Sequence, residues 1–469
     1  MMKFNLITQN QLRDIHAASL RILSEVGIKI QIDEARDLVC KAGAKPSGDN
    51  IVKIPPAMVR KALECCSPEF VLYGRYGNQG IVLGGDRVHF GTAAYTTVTL
   101  DWRTGAYRPS LLSDLDDVVK LSELLPSMEF IMPGCCPTEI DQHQADRYMW
   151  RACLLKSRKP VFNLCYGKDG LDDLIRMICA ISGDMETFRS KPYLAVVAGA
   201  FSPLMIPEND CNIIVGAARQ GIPIILMGGP MAGATGPVTL AGNIAQLNAE
   251  MLACIVLAKT TNPEVPLIYC PIPKTFDMST MNIVSSSPET VLQQLVEVQL
   301  GKFYQLPVGS NGIVSDAKAP DAQMGWESMS TGLSAAMART NLIFGAGAIN
   351  SKSINSLEAL AMQHEVASFI LRIIRGINID DDRLAVSTIM DTGPSGEFLS
   401  GEHTLKHFRN ELWAPYLSIR SNYSSWQDRG SKTLRHKTQE FVKKTLSNKL
   451  PFNVPDSVEK EIDSIVEGK

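Results

Sequence analysis

Eight short apolar runs, each followed by Gly-, Pro- or polar-rich residues and then an amphipathic stretch long enough for a helix, constrain this chain most. They are Glu129–Gly134, Pro160–Cys165, Tyr193–Ala200, Ile222–Met227, Val265–Cys270, Leu306–Gly309, Leu342–Ile349 and Leu384–Met390. A continuously apolar strand is buried on both faces, and such strands alternating with helices make a parallel sheet covered on both sides. Eight of them predict an α/β fold of the TIM (β/α)8 barrel type. Chemistry in such a barrel sits at the C-terminal strand ends. Here those ends are rich in Gly, Pro and apolar residues, a mouth suited to a large and mostly apolar body. The sixth run leads into the most polar of these loops, Leu306 to Glu327 (LPVGSNGIVSDAKAPDAQMGWE), which reads as part of an active site.

Before the repeats, Thr8 caps a predicted helix that Gly27 stops, a second helix ends at Gly43, and a third follows Pro55 and Pro56. From Phe70 to Pro109 short alternating runs broken by glycines read as β hairpins, with Asp101 to Gly105 as the clearest turn. Ser113 opens the regular part as a helix cap. The expected organisation is a helix-and-hairpin cap over 1–110, the barrel over 111–412 and a helical extension over 413–469.

With 469 residues, 45% hydrophobic and 20% charged, the chain is long enough for a barrel with additions. Forty-six basic against 49 acidic residues, without a dense basic run before the C-terminal tail, argue against nucleic acid and anionic membrane as partners. No apolar run reaches the roughly 20 residues of a membrane span, and the N-terminus lacks a secretion signal. Eleven scattered cysteines fit free thiols in a reducing compartment, so a cytoplasmic location is expected.

Four stretches in order, LRDIHAASLRILSEVGI, FGTAAYTTVTLDWRTGAYRPS, LPVGSNGIVSDAKAPDAQMGWES and HTLKHFRNELWAPYLSIRSNYSSWQDRG, resemble the trimethylamine methyltransferase family of corrinoid-dependent methyltransferases, in its branch lacking pyrrolysine. The resemblance covers nearly the whole chain and implies a TIM barrel. It also implies transfer of a methyl group from a quaternary amine, such as glycine betaine, proline betaine or carnitine, to the Co(I) of a cobalamin on a separate corrinoid protein. The family's founding member carries pyrrolysine in the region matching Leu306 to Gln323; only standard residues stand here, which turns the expectation from trimethylamine toward betaines.

Such a substrate already carries its charge, so no acid is needed. A carboxylate against the nitrogen would favour substrate over transition state, whereas aromatic faces hold it with about 0.5 to 2 kcal/mol per contact. Tyr95, Tyr166, Phe201, Phe276 and Trp326 are the candidate cage, and His89 and His364 the candidates for the substrate carboxylate. Asp316, Gln323 and Glu365 are expected to orient these or shape the corrin entrance. Against these readings stand packing roles for the aromatics, capping for Asp316 and a buried pair for Glu365.

Two rival functions are a zinc-dependent methyltransferase and a non-catalytic betaine- or corrinoid-binding protein. Zinc ligands at strand ends are missing, so no metal is expected on this chain. Asp14-Ile15-His16 resembles a corrinoid-carrier motif but ends in Ser19 where glycine is required, so cobalamin is expected on a partner. Exposed helices make a homodimer an expectation too.

Overall fold

Strands that are apolar on both sides can bury both only inside a ring, and a ring is what they make in the computed structural model, which describes residues 5–93 and 95–468. Its members are β1 (His89–Thr92), β2 (130–131), β3 (Val161–Asn163), β4 (Leu194–Gly199), β5 (Ile224–Gly228), β6 (Leu267–Pro271), β7 (Gly309–Asn311) and β8 (Leu342–Ala346). All neighbours are parallel. Ladders join β3 to β4, β4 to β5, β5 to β6, β7 to β8 and β8 back to β1. Single parallel bridges Gly91–Phe130, Ile131–Val161 and Tyr269–Val308 complete the circle.

A helix follows each strand and covers the ring from outside: Leu112–Leu124, Ala145–Lys156, Gly167–Ser182, Glu208–Gln220, Leu240–Thr261, Pro288–Phe303, Ala322–Met337 and Leu357–Arg375. Phe130, Phe162, Ala195, Ile225, Ile268, Leu342 and Phe344 fill the ring interior as a packed layer. Leu72, Ile81 and Leu83, from the antiparallel pair Glu69–Leu72 and Ile81–Gly84, join that cluster from below and plug the N-terminal end of the barrel.

The count of eight strands is right, but two members change. Leu384–Met390, expected as the eighth strand, lies in helices Asp381–Leu384 and Val386–Thr392, whose residues are largely exposed. The ring is already closed by β1, so that run has no strand edge to join. β1 itself, His-Phe-Gly-Thr, falls within the 1–110 stretch read as cap: its short glycine-broken sequence imitates a hairpin arm. The barrel thus starts at His89, and its last helix ends at Arg375 instead of running to 412.

Cap elements follow their sequence signals closely. Thr8 accepts from Gln11 N–H while the Gln11 side chain returns to Thr8 N–H, opening helix Gln9–Arg21. A π turn then ends at Gly27, φ 91°. Strands Val98–Leu100 and Tyr107–Pro109 pair across the Asp101–Gly105 turn. Ser113 is not the cap: the next helix starts at Leu112, with Asp114 accepting from Leu111 N–H and pairing with Arg108.

Leu240–Thr261 is, among the described residues, the single helix long and apolar enough to cross a membrane, which corrects the expectation that no segment approaches that length. It is a core helix instead: 83% of its apolar window is buried, against helices Gln9–Arg21 and Pro56–Glu64 among others.

Candidate active site

A cavity of about 1140 Å³ opens at the C-terminal ends of β3 to β6. Val197, Met227 and Ile272, which also pack on the barrel interior, line it together with Tyr166, Phe201 and Met231. Tyr166 follows β3 and its N–H donates to Asp146 Oδ2 at 2.8 Å. Burial pushes its phenol up to about 12, so it stays neutral. Phe201, after β4, is 60% exposed, an open aromatic face at the rim. Gly199 is required at that strand end: a Cβ there would lie 1.6 Å from Met227 O.

Two charge types lie on different elements around this mouth. Asp210, at the start of helix Glu208–Gln220, accepts from Gly199 N–H at 2.8 Å, and burial raises its carboxyl to about 6 against the pull of that bond. Lys274 lines the cavity just past β6, and burial lowers its ammonium. Lys352, in the loop after β8, donates to Asn311 Oδ1 at 3.1 Å. Burial, then repulsion from Lys274, brings Lys352 down to about 7, although the Cys270 thiol and Asp316 act the other way. Lys274 in the cavity wall, with Lys352 near enough behind it to be repelled, makes a cationic side of the mouth that an anion would relieve.

The loop Leu306–Glu327 shapes this entrance through Asp316. Its carboxylate accepts from Ser285 and Ser286 N–H at 3.0 and 2.9 Å and from the hydroxyls of Ser286 and Ser351. It thereby ties the loops after β6, β7 and β8 together, so Asp316 is a positioning group. Gln323 does not reach the cavity: its Nε2 donates to Glu327 Oε1 at 2.9 Å, while Glu327 Oε2 accepts from Ser315 Oγ and Asp316 N–H at 2.7 and 2.8 Å.

Of the remaining sequence candidates, Tyr166 and Phe201 share the cavity wall. Tyr95 (φ 63°) stands just past β1, and burial raises its phenol strongly. Phe276 belongs to the hairpin strand Lys274–Asp277 paired with Asn282–Val284, and Trp326, 61% exposed, rides on helix Ala322–Met337; none of these three lines the cavity. His89 begins β1 at the plugged end of the barrel, its Nδ1 3.0 Å from Glu129 and its Nε2 3.0 Å from Val82 O. His364 is buried within helix Leu357–Arg375 beside Tyr416, ring centres 4.6 Å apart. Neither histidine can meet a substrate carboxylate at the mouth. Glu365 is committed elsewhere as well: it accepts from Tyr416, Leu417 and Ser418 N–H at 2.7, 2.8 and 2.7 Å.

Lys274, Lys352 and Asp210 carry no motif, and Lys274 and Lys352 meet only because their strand ends converge. The signal in the sequence was weak but present: lysines just beyond apolar runs at a strand's C-terminal end.

A closed parallel barrel whose charged and aromatic groups gather at the strands' C-terminal ends defines a TIM-barrel enzyme. The family model described as trimethylamine methyltransferase (MTTB) matches residues 1–469, and the chain belongs to that family of methyltransferases. It is 30% identical to the trimethylamine methyltransferase MttB of Desulfitobacterium hafniense (strain DSM 10664 / DCB-2) over 461 residues, covering 98% of this chain and 93% of that one. The glycine betaine methyltransferase of Desulfitobacterium hafniense (strain Y51) is also 30% identical, over 98% of this chain and 95% of its own length. In fold, the crystal structure of the Methanosarcina barkeri monomethylamine methyltransferase (MtmB) superposes with a TM-score of 0.55 at 13% identity, covering 96% of this chain and 90% of that chain.

Proposed function

We propose that this methyltransferase takes its methyl group from a carboxylated quaternary amine, glycine betaine first among them, and passes it to the Co(I) of a corrinoid held by a separate protein. The observation that carries the reading is Lys274 in the cavity wall, with Lys352 held beside it on Asn311, since trimethylamine offers no anion for these amines and a betaine does. The trimethylammonium head then lies toward Tyr166, Phe201 and Asp210, and the carboxylate toward the two amines. Asp210 on one side of the cavity and Lys274 on another supply both signs of charge, which suits a zwitterion.

A Co(I) centre presented by the partner would supply the nucleophile that accepts the methyl group. On the substrate side the N–CH3 electron pair stays on nitrogen, and a neutral tertiary amine is left in the cavity. No proton moves. Positive charge on nitrogen is lost in this step, so a nearby ammonium such as that of Lys274 repels the substrate head more than the transition state, which lowers the barrier. The aromatic faces of Tyr166 and Phe201 hold the head without locking it, and orientation between two charged walls aims one methyl outward. Met227, Met231 and Ile272 supply the apolar floor that keeps water from the reacting carbon.

Eleven free cysteines support placing this chemistry in the reducing cytoplasm. The test is methylation of cob(I)alamin followed by absorbance, with glycine betaine, proline betaine, carnitine and trimethylamine as donors. Turnover with carboxylated donors and none with trimethylamine is expected; the reverse pattern removes the lysine pair as the substrate anchor, and binding without any methylation favours a non-catalytic binder.

A further inference from the structure

Between helices Leu357–Arg375 and Leu434–Ser447 runs an arm, 376–433, that has almost no core of its own: only His407 and Leu417 are buried in it. Ile377, Ile379, Leu399 and Leu405 are 81%, 78%, 85% and 73% exposed. Apolar burial therefore cannot be what holds the short helix Asp381–Leu384 against helix Glu402–Glu411. Segments in this position are commonly fastened by a disulfide or a metal, and no cysteine occurs in the arm.

Polar groups make the contact between those two helices: Arg383 pairs with Glu411 at 3.3 Å at one place, and Asp382 meets His403, Lys406 and His407 at another. His403 and His407 are four residues apart and so share one helix face, with ring centres 4.4 Å apart. One ligand atom from each of Asp382, His403 and His407 falls within 4.8 Å of the other two.

The arm's one buried polar side chain, His407, is 9% exposed, and its Nε2 makes no hydrogen bond although it lies 3.1 Å from Asp382 Oδ2. The two atoms stand side by side instead of donor to acceptor. Adjacent ligands of a tetrahedral zinc, at 2.0–2.1 Å from the ion, are about 3.3 Å apart, close to this spacing. His403 Nε2 contacts the carbonyl of Asp382 at 2.9 Å. A proton there leaves Nδ1 with its lone pair and supplies the outer hydrogen bond that metal-bound histidines use for orientation. Against the ion stands Lys406, whose Nζ is 2.9 and 2.8 Å from the two Asp382 oxygens.

We propose that Asp382, His403 and His407 form a zinc site that fastens helix Asp381–Leu384 to helix Glu402–Glu411, with a water as fourth ligand. Zinc displaces the Lys406 ammonium from one carboxylate oxygen and replaces the missing core of the arm. The site lies outside the barrel mouth, and what it does is join the two helices.

The full-length protein, stripped with a chelator, is titrated with zinc chloride by calorimetry, and bound metal is counted after desalting. One zinc per chain is expected. His403→Ala and His407→Ala each weaken binding by more than about tenfold, as loss of even an outer-shell partner can. Lys406→Ala tightens it. Zinc also slows proteolytic cleavage within 376–433 in the parent and not in the histidine variants. Asp382→Asn, which keeps the side-chain volume, weakens binding too and stands in should a histidine variant misfold by circular dichroism. Zinc uptake that is absent, or unchanged in His403→Ala, His407→Ala and Asp382→Asn alike, overturns the site and leaves an ion pair only.

Discussion

Lys352 shows at the scale of one residue how the barrel mouth turns an ordinary side chain into a titrating one. Its ammonium is lowered to about 7 by burial and by Lys274. The protonated form binds an anion, so kcat/KM for a carboxylated donor is expected to be full below about pH 7 and to fall as pH rises through that value, since this ratio reports the free enzyme. Lys352→Arg, whose guanidinium does not lose its proton, should flatten the fall, and Lys352→Met should raise KM at every pH. A profile for Lys352→Arg that keeps the parent's alkaline limb would assign that limb to another group. Asp210 makes the complementary case. A carboxylate facing a cation that is about to lose its charge stabilises substrate more than transition state, so Asp210→Asn should raise KM several-fold with kcat unchanged or higher. Equal losses in kcat and kcat/KM would contradict that role. His364 titrates inside a helix: burial, then Lys159, lowers it to about 4. Below about pH 6.5 the unfolded chain takes up a proton that the folded one refuses, so His364 contributes a loss of stability that grows from pH 6.5 down to about 4. Thermal unfolding across this window should show a shallower acid decline in His364→Gln than in the parent.

At the scale of elements, loops and helices are held by single acids whose lone pairs are fully used. Glu365 sits on an apolar helix, where a carboxylate is costly, and the cost is offset because its oxygens receive three backbone N–H groups of the turn 416–418. Glu365→Ala leaves those donors without an acceptor, a loss of about 3 kcal/mol, and should expose the turn to protease before the barrel unfolds. An unchanged melting midpoint would show the turn is held by other contacts. Elements were largely legible in the sequence wherever their determinants are local. Thr8 and Gln11, Gly27, Pro56 and the Asp101–Gly105 turn all act within a few residues of where they stand. β1 was not legible, because His-Phe-Gly-Thr acquires its meaning only from β8 and residue 130 on either side. The false strand at Leu384–Met390 failed for the converse reason: apolar residues alone do not supply a neighbour. Site residues divide in the same way. Tyr166 and Phe201 lie just past the strands read as apolar runs, and strand-end logic placed them. His89 and His364 were selected for chemical type, and tertiary placement then sent them to the plugged end and to a helix interior.

The whole molecule opens a cavity at one end of the ring and closes the other. Leu72, Ile81 and Leu83 plug the N-terminal end, and the mouth is left to Tyr166, Lys274 and their neighbours. A polar chain reaches from Glu297 through Tyr269, Asn248 and Tyr304 to His16, joining the cap helix Gln9–Arg21 to the barrel. Burial raises Glu297 to about 8, so a proton resides there at neutral pH and the chain stays uncharged in the core. The arm is tied to the last barrel helix through Glu365 and Arg372, yet it leaves much of its apolar surface exposed. Met390, Leu399 and Leu405 are 75%, 85% and 73% exposed, and large apolar residues left in water along one segment invite a cover. A second copy presenting the same face is the simplest cover, because a two-fold contact matches a patch to itself. Sedimentation at micromolar concentration is therefore expected to show a dimer. The double variant Leu399→Asp/Leu405→Asp should sediment as a monomer while keeping the parent's rate with cob(I)alamin, since the arm contributes nothing to the mouth. A parent that sediments as a monomer would leave this face without a second copy as its cover.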